Sequence, residues 1–130
     1  MIGDAAAGRL VLDDQLVVAL TRALAVPAVR DRALAWCAGP RAAAAEQLWA
    51  ALARGTPPPE VAEPAALLAV SALLRGNGAL ANIALDRAEQ AWPAHRLTAL
   101  LRAATDVRMS PARLRECLLS ARPDEPGDPL

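Results

Sequence analysis

The sequence contains no phenylalanine, no tyrosine and no lysine, and its only aromatic residues besides one histidine are three tryptophans. Strands favour aromatic and β-branched side chains, yet Val, Ile and Thr together occupy only 14 of the 130 positions. By contrast, 33 alanines and 21 leucines are present, and both types stand near the top of the helix-propensity ranking. The composition therefore predicts an all-α protein and argues against a β-sheet.

Cysteine and histidine are too scarce for most active sites and metal centres. The two cysteines, Cys37 and Cys117, cannot staple a domain of this size, and we interpret them as small buried hydrophobes. His95 is the only histidine, so an enzyme would require a pocket that gathers it with a cysteine and a carboxylate. Gly76-Asn-Gly78 lacks the preceding strand and further residues of a phosphate loop. We expect no enzymatic activity, no cofactor and no metal ion.

Long apolar segments and a targeting signal are also missing. The longest charge-free apolar stretch, 64–74, is shorter than the about 20 residues that a transmembrane helix needs. No basic region precedes an apolar run near the N-terminus, as it would in an export signal. We therefore expect a cytoplasmic protein without membrane contact. High apolar content and zero net charge also argue against disorder over the whole length.

Prolines and glycines divide the chain into about seven short helices. Because the connections are short, we expect the helices to pack as antiparallel hairpins in a single domain over 13–121. Residues 1–12 are interpreted as a lead-in. Residues 122–130 are acidic and proline-rich, which predicts a flexible tail.

Capping signals mark several helix ends. Asp13, Asn77 and Ser110 are predicted N-caps of the first, fifth and seventh helices. Gly76 is predicted to end the fourth helix in the left-handed conformation. The sixth helix is predicted to begin at Pro93, because proline suits the first turn.

The fourth predicted helix has apolar residues on all sides. Ser71 is the only polar side chain within 64–74, and a helix without a polar face is normally enclosed by its neighbours. We therefore expect it to form the centre of the domain. Alanine at the contacts allows helix axes to approach closely, and Trp36, Trp49 and Trp92 are predicted to fill the larger spaces of the core.

Residues 62–95 resemble a tetratricopeptide repeat, which has a period of about 34 residues. Ala81, Leu85 and Ala88 match its small, bulky and small second-helix sites, whereas Ala65 and Ala72 replace its first-helix aromatic residues. An ordinary helical hairpin is the alternative. The resemblance implies a peptide groove that is either apolar or filled by another helix, and its first-helix positions are Glu63, Ala66, Val70 and Leu73.

A second resemblance is carried by the run from Leu74 to Ala88, Leu-Arg-Gly-Asn-Gly-Ala-Leu-Ala-Asn-Ile-Ala-Leu-Asp-Arg-Ala, followed by Trp92-Pro93. Over 16–119 the chain resembles the actinobacterial family called domain of unknown function 4192. The resemblance implies the helical C-terminal portion of longer members, so we expect a fragment or a short paralogue. The chain uses arginine and never lysine for its permanent positive charges. This usage fits a high-GC actinobacterial source. The family has no assigned activity, so the resemblance implies no mechanism.

Positive charge is concentrated near the C-terminus. Residues 94–122 hold six arginines against two acids, a net charge of +4, whereas 1–93 carry −1 and the residues from Pro123 onward carry −3. A solvated face with a solubilising tail is the more usual explanation of this pattern. The alternative is a basic patch for an acidic partner, since arginine forks suit carboxylate and phosphate groups. The candidate interaction residues are Arg96, Arg102, Arg108, Arg113 and Arg115.

These observations favour a non-enzymatic helical module that binds an unknown protein partner. We expect it to act through an exposed Ala/Leu/Val surface, through the C-terminal arginines, or through both, and we expect self-association into a homo-oligomer if an apolar face is left uncovered. The alternative is binding of nucleic acid or another polyanion through 94–122. Nucleic acid is the weaker candidate, because the pI of 6.6 lacks the usual basic footprint.

Overall fold

The computed structural model of the chain describes residues 13–120, and these form seven α-helices and no strand. The predicted all-α fold is confirmed. The predicted lead-in 1–12 and tail 122–130 lie outside the described residues. In chain order the helices are α1 (Asp14–Leu24), α2 (Pro27–Ala38), α3 (Ala42–Gly55), α4 (Ala62–Leu74), α5 (Gly78–Ala91), α6 (Arg96–Asp106) and α7 (Pro111–Ser120).

Side-chain caps begin α1, α5 and α7 as predicted. The Asp13 carboxylate accepts a hydrogen bond from the backbone N–H of Leu16 at 2.8 Å, and the Asn77 side chain accepts one from Leu80 at 3.1 Å. Ser110 does the same for α7. Each cap satisfies one of the backbone donors that have no partner within the helix. Gly76 has φ +79°, which confirms the left-handed turn between α4 and α5.

The predicted start of α6 at Pro93 is wrong, since this helix begins at Arg96. The His95 side chain forms the N-cap and accepts a hydrogen bond from the backbone N–H of Thr98 at 3.4 Å. Residues 93–95 therefore form a turn. Ser, Thr, Asp and Asn are the residues usually found at an N-cap, so a histidine cap is unusual.

Helix α4 is the centre of the domain, as predicted from its lack of a polar face. It packs against each of the six other helices, and its side chains are buried except for the half-buried Leu68 and Leu73. Its alanines allow close approach: Ala62 and Ala65 form a small cluster with Ala88 of α5. Pro64 falls in the first turn of α4, where a missing N–H removes no intrahelical hydrogen bond.

The prediction that all three tryptophans fill the core is wrong. Trp49 is 1% exposed, but Trp36 is 43% exposed and Trp92 is 41% exposed. Alanine-rich contacts bring the helices so close together that the interior offers little space for large side chains. The indole of Trp49 on α3 faces α2, where its N–H donates to the Sγ of Cys37 at 3.3 Å.

Candidate interaction surface

An apolar groove opens between α1, α2 and α3 and encloses about 260 Å³. Its floor belongs to α3, where Leu48, Trp49 and Leu52 also face the core. The three helices meet here because their buried residues follow the helical period, but no fourth helix of the described part covers their junction. The groove residues are Leu20, Ala23, Leu24, Val29, Arg32, Ala33, Trp36, Leu48, Trp49 and Leu52.

The rim of this α1–α3 groove exposes apolar side chains to solvent. Trp36 is 43% exposed and Val29 is 37% exposed, although both lie on the helix that contributes the buried Ala33 and Cys37. Arg32 is the only charged residue of the groove, and it makes no ion pair within 13–120. The arrangement can bury apolar side chains of a partner beside one available guanidinium group.

The five candidate arginines of the C-terminal region differ in their surroundings. Arg96, Arg108, Arg113 and Arg115 are exposed, and Arg113 lies 3.5 Å from the carboxylate of Glu116 one turn later. Residues 113 and 115 are about 200° apart around the axis of α7, so they do not share one face. Whether these side chains contact a partner stays a prediction.

Arg102 is turned towards α5. Its guanidinium group donates to Glu89 at 2.9 Å and 3.0 Å, to Asp86 at 2.8 Å and to Asn82 at 3.1 Å. Its hydrogen bonds with Glu89 lower the pKa of that carboxyl group below its ordinary value, and Glu89 in turn raises the pKa of Arg102. The sequence suggested that Arg102 is open to an acidic partner. Its guanidinium N–H groups are instead hydrogen-bonded to acidic residues of the chain itself.

A buried charged cluster connects α2, α4 and the start of α6. Glu63 is 5% exposed and His95 is 4% exposed. The Glu63 Oε1 lies 3.1 Å from the Nε2 of His95 and 3.6 Å from the Nε of Arg30. Neither nitrogen is aligned for a hydrogen bond with the carboxylate, so the contacts are electrostatic rather than directional.

The other ring nitrogen of His95 is held by Thr98. Its Nδ1 lies 2.8 Å from the Thr98 hydroxyl and accepts from the Thr98 backbone N–H, which places the proton of the neutral ring on Nε2, facing Glu63. Cys37 takes no part in these contacts, because its hydrogen-bond partners are Trp49, Ser71 and Leu67. Glu63 and His95 are both buried, and the cluster joins three helices.

The tetratricopeptide resemblance implies a groove on one face of α4 that is either apolar and open or filled by another helix. The burial of four positions bears on these two alternatives. Glu63, Ala66 and Val70 are buried and Leu73 is half-buried. This face of α4 is therefore covered by neighbouring helices, as the second alternative held. The α1–α3 groove lies on other helices and has no lining residue from α4.

Cys37 is 1% exposed and accepts hydrogen bonds from the Trp49 indole N–H and the Ser71 hydroxyl. Burial raises the pKa of its thiol, which outweighs the opposite effect of these donors. A buried thiol with a raised pKa is a poor nucleophile.

Within 13–120, no three His, Cys, Asp or Glu side chains are grouped so that they could hold a metal ion. No helix in this range has the length and apolar character needed to cross a membrane.

Sequence reasoning did not locate the α1–α3 groove. A signal was available on α2: Val29 and Trp36 lie on the same helix as the buried Ala33 and Cys37, and one buried stripe does not require all four. Val29 and Trp36 are partly exposed and line this groove. Apolar side chains beyond the core-facing stripe of an amphipathic helix indicate a second contact surface.

Comparison with known proteins identifies a family. The model of the family described as "Domain of unknown function (DUF4192)" matches residues 1–112. This region begins earlier and ends earlier than the resemblance over 16–119. Neither curated proteins nor solved structures gave a match.

Proposed function

This chain belongs to the domain of unknown function family DUF4192, and we propose that it is a non-enzymatic helical module for protein–protein interaction. The observation that carries the proposal is the open apolar groove between α1, α2 and α3. Full burial of one apolar side chain of a partner contributes about 1.5–3 kcal/mol. Two or three such side chains in the groove would make a specific contact, and the exposed Trp36 is of the type that dominates binding energy at interfaces.

The test is quantitative affinity purification of the tagged full chain from its native host, followed by mass spectrometry. Val29→Asp places a charge on the rim of the groove, and Trp36→Gln removes its large apolar side chain. Val107→Asp is the matched control, since Val107 is 71% exposed and lies at the end of α6, outside the groove.

We expect a set of partners that purifies with the wild type and with Val107→Asp but is lost with both groove variants. Circular dichroism of the four proteins checks that the helices are retained. If the same proteins purify with all four chains, the groove is not the docking surface and the proposal fails.

Polyanion binding through 94–122 is the alternative proposal, and four exposed arginines support it. It is weaker because Arg102 is engaged with Glu89 and Asp86. Fluorescence anisotropy with labelled DNA and RNA at low and high salt tests it, because phosphate contacts make affinity strongly salt-dependent. Loss of binding in Arg113→Glu/Arg115→Glu would support the alternative, and absence of salt-sensitive binding in the wild type would remove it.

Three finer assignments are also proposals. The α4–α5 hairpin is proposed to be tetratricopeptide-like: Ala81, Leu85 and Ala88 are buried at its contact, and Gly76 forms its turn. An actinobacterial source is proposed from the arginine-only basicity and the alanine content. A cytoplasmic location is proposed as well, and cell fractionation tests it.

A further inference from the structure

A second groove lies on the opposite side of α1 from the α1–α3 groove, and it encloses about 210 Å³. We call it the α1–loop groove, because one wall is α1 and the other is the segment that follows α3. Val18 is 48% exposed on its wall. At its base α1 approaches Gly55 closely, since an added Cβ at Gly55 would meet Val17 at 3.3 Å. It is lined by Val17, Val18, Thr21, Arg22, Gly55, Thr56, Pro57 and Glu60.

We infer that residues 1–12 of this chain occupy the α1–loop groove. The first reason is the way the chain enters α1. Asp13 is the N-cap of this helix, so Leu12 precedes the cap and Val17 stands at the fourth helical position. Apolar residues at these two positions often pack against each other as a hydrophobic staple, which fixes the direction of the incoming chain. Val17 lines the groove, so a staple of this kind would direct the segment towards it.

The second reason is complementarity of apolar surface and charge. Leu10, Val11 and Leu12 supply an apolar run for the exposed wall at Val18. The charged residues of the groove are Arg22 and Glu60, and neither has an ion-pair partner within 13–120. The segment carries one acid, Asp4, and one base, Arg9, which matches this pair of opposite charges.

Length and the family boundary agree with this assignment. From Asp13 to Arg22, α1 rises about 13.5 Å at about 1.5 Å per residue, and twelve residues span about 18 Å even when fully helical. The segment can therefore reach the far end of the groove. The DUF4192 family model matches from residue 1, so the segment belongs to the same family domain as the helices that form the groove. The inference does not depend on the proposed function, which uses the other side of α1.

Paramagnetic relaxation in the full chain tests the inference. A nitroxide is attached at Ala6→Cys in a Cys117→Ser background, in which the buried Cys37 is shielded from the label. The matched control carries the label at Gly127→Cys in the acidic tail. Amide peak intensities are then measured for Val18, Arg22 and Glu60, and for Ile83 on the exposed side of α5.

We expect the label at residue 6 to remove intensity from the groove amides but not from Ile83, and the label at residue 127 to leave the groove amides unchanged. Adding Leu10→Asp/Leu12→Asp to the Ala6→Cys chain should restore the groove signals, while the rest of the spectrum shows that the helices remain folded. Groove signals unaffected by the label at residue 6 would overturn the inference.

Two further outcomes would assign the groove to another occupant and also overturn it. Broadening by the label at residue 127 alone would identify the acidic tail. In a mixed sample, one chain carries the isotope and another carries the nitroxide at residue 6. Broadening of the groove amides in this mixed sample would identify a second copy as the occupant. Broadening that occurs only when the isotope and the nitroxide are on the same chain supports binding within one chain.

Discussion

Glu63 places a carboxyl group inside the protein, close to the Arg30 guanidinium group, the His95 ring and a helix end. His95 and Arg30 lie 3.1 Å and 3.6 Å from its Oε1, and its position in the first turn of α4 places it at the positive end of the helix dipole. The net contribution of such buried contacts to stability is small, whereas removing one of the partners is costly.

Glu63→Ala is expected to lower the free energy of unfolding by about 2–3 kcal/mol. Removing one member of a fully buried pair costs about 3–5 kcal/mol, and the smaller figure reflects the 27% exposure of the Arg30 side chain, which can turn to solvent. Urea denaturation followed by circular dichroism measures the change. Glu116→Ala is the control, because that side chain is 72% exposed and an exposed ion pair contributes about 0–1 kcal/mol. Equal losses in the two variants would contradict a special role of the buried carboxylate.

At the scale of the helices, local sequence determined most boundaries, and long-range contacts determined the rest. Asp13, Gly76 and Asn77 act within a few residues of their own positions, so they could be predicted from the sequence. The start of α6 could not, because His95 is held as its cap partly through contact with Glu63 on another helix. That pair is separated by 32 positions, and no local pattern indicates it.

The turn between α4 and α5 offers a prediction about backbone conformation. Nothing lies within 4 Å of an added Cβ at either Gly76 or Gly78, but only Gly76 has a positive φ, at +79°. We expect Gly76→Ala to destabilise the protein by about 1–2 kcal/mol, because the left-handed conformation is strained for residues with a Cβ. Gly78→Ala should be neutral or stabilising by up to about 1 kcal/mol, because alanine favours the helix. Thermal unfolding of both variants measures the difference, and the prediction fails if both lose the same stability.

The contact between α5 and α6 should depend on pH through Glu89. Its hydrogen bonds with Arg102 lower the pKa of the Glu89 carboxyl group from its ordinary value of 4.5. A group whose pKa is lower in the folded state stabilises the protein above the unfolded pKa, and this contribution is lost as the pH falls through the folded pKa.

Glu89→Gln should therefore be less stable than the wild type at pH 7, by up to about 1 kcal/mol for such a partly exposed pair. This difference in stability should become smaller as the pH falls below about 4.5 and through the lower pKa of Glu89 in the folded state. Denaturation midpoints of the two proteins from pH 7 to pH 2.5 provide the measurement. If the difference in stability between the two proteins stays constant over this range, the charge of Glu89 is not its cause.

For the whole molecule, composition and the all-apolar α4 were sufficient to predict an all-α domain with that helix at its centre. They were not sufficient to predict which apolar residues remain outside. Trp36 was assigned to the core because it is large and apolar, yet whether such a residue is covered depends on the arrangement of α1, α2 and α3 in space. The surface that supports the proposed function was therefore the part of the domain that sequence patterns described least.

An uncovered apolar groove also predicts the behaviour of the chain at high concentration. Exposed apolar patches promote association, so the mass measured by light scattering should rise above the 13.6 kDa of one chain as concentration increases. Val29→Asp places a charge on the groove rim, where burial against a second copy would be unfavourable, and it should keep the protein monomeric. Val107→Asp introduces the same charge outside the groove and should associate like the wild type. A wild type that stays monomeric at every concentration would show that the groove does not bind a second copy, whereas equal association of both variants would place the contact elsewhere on the surface.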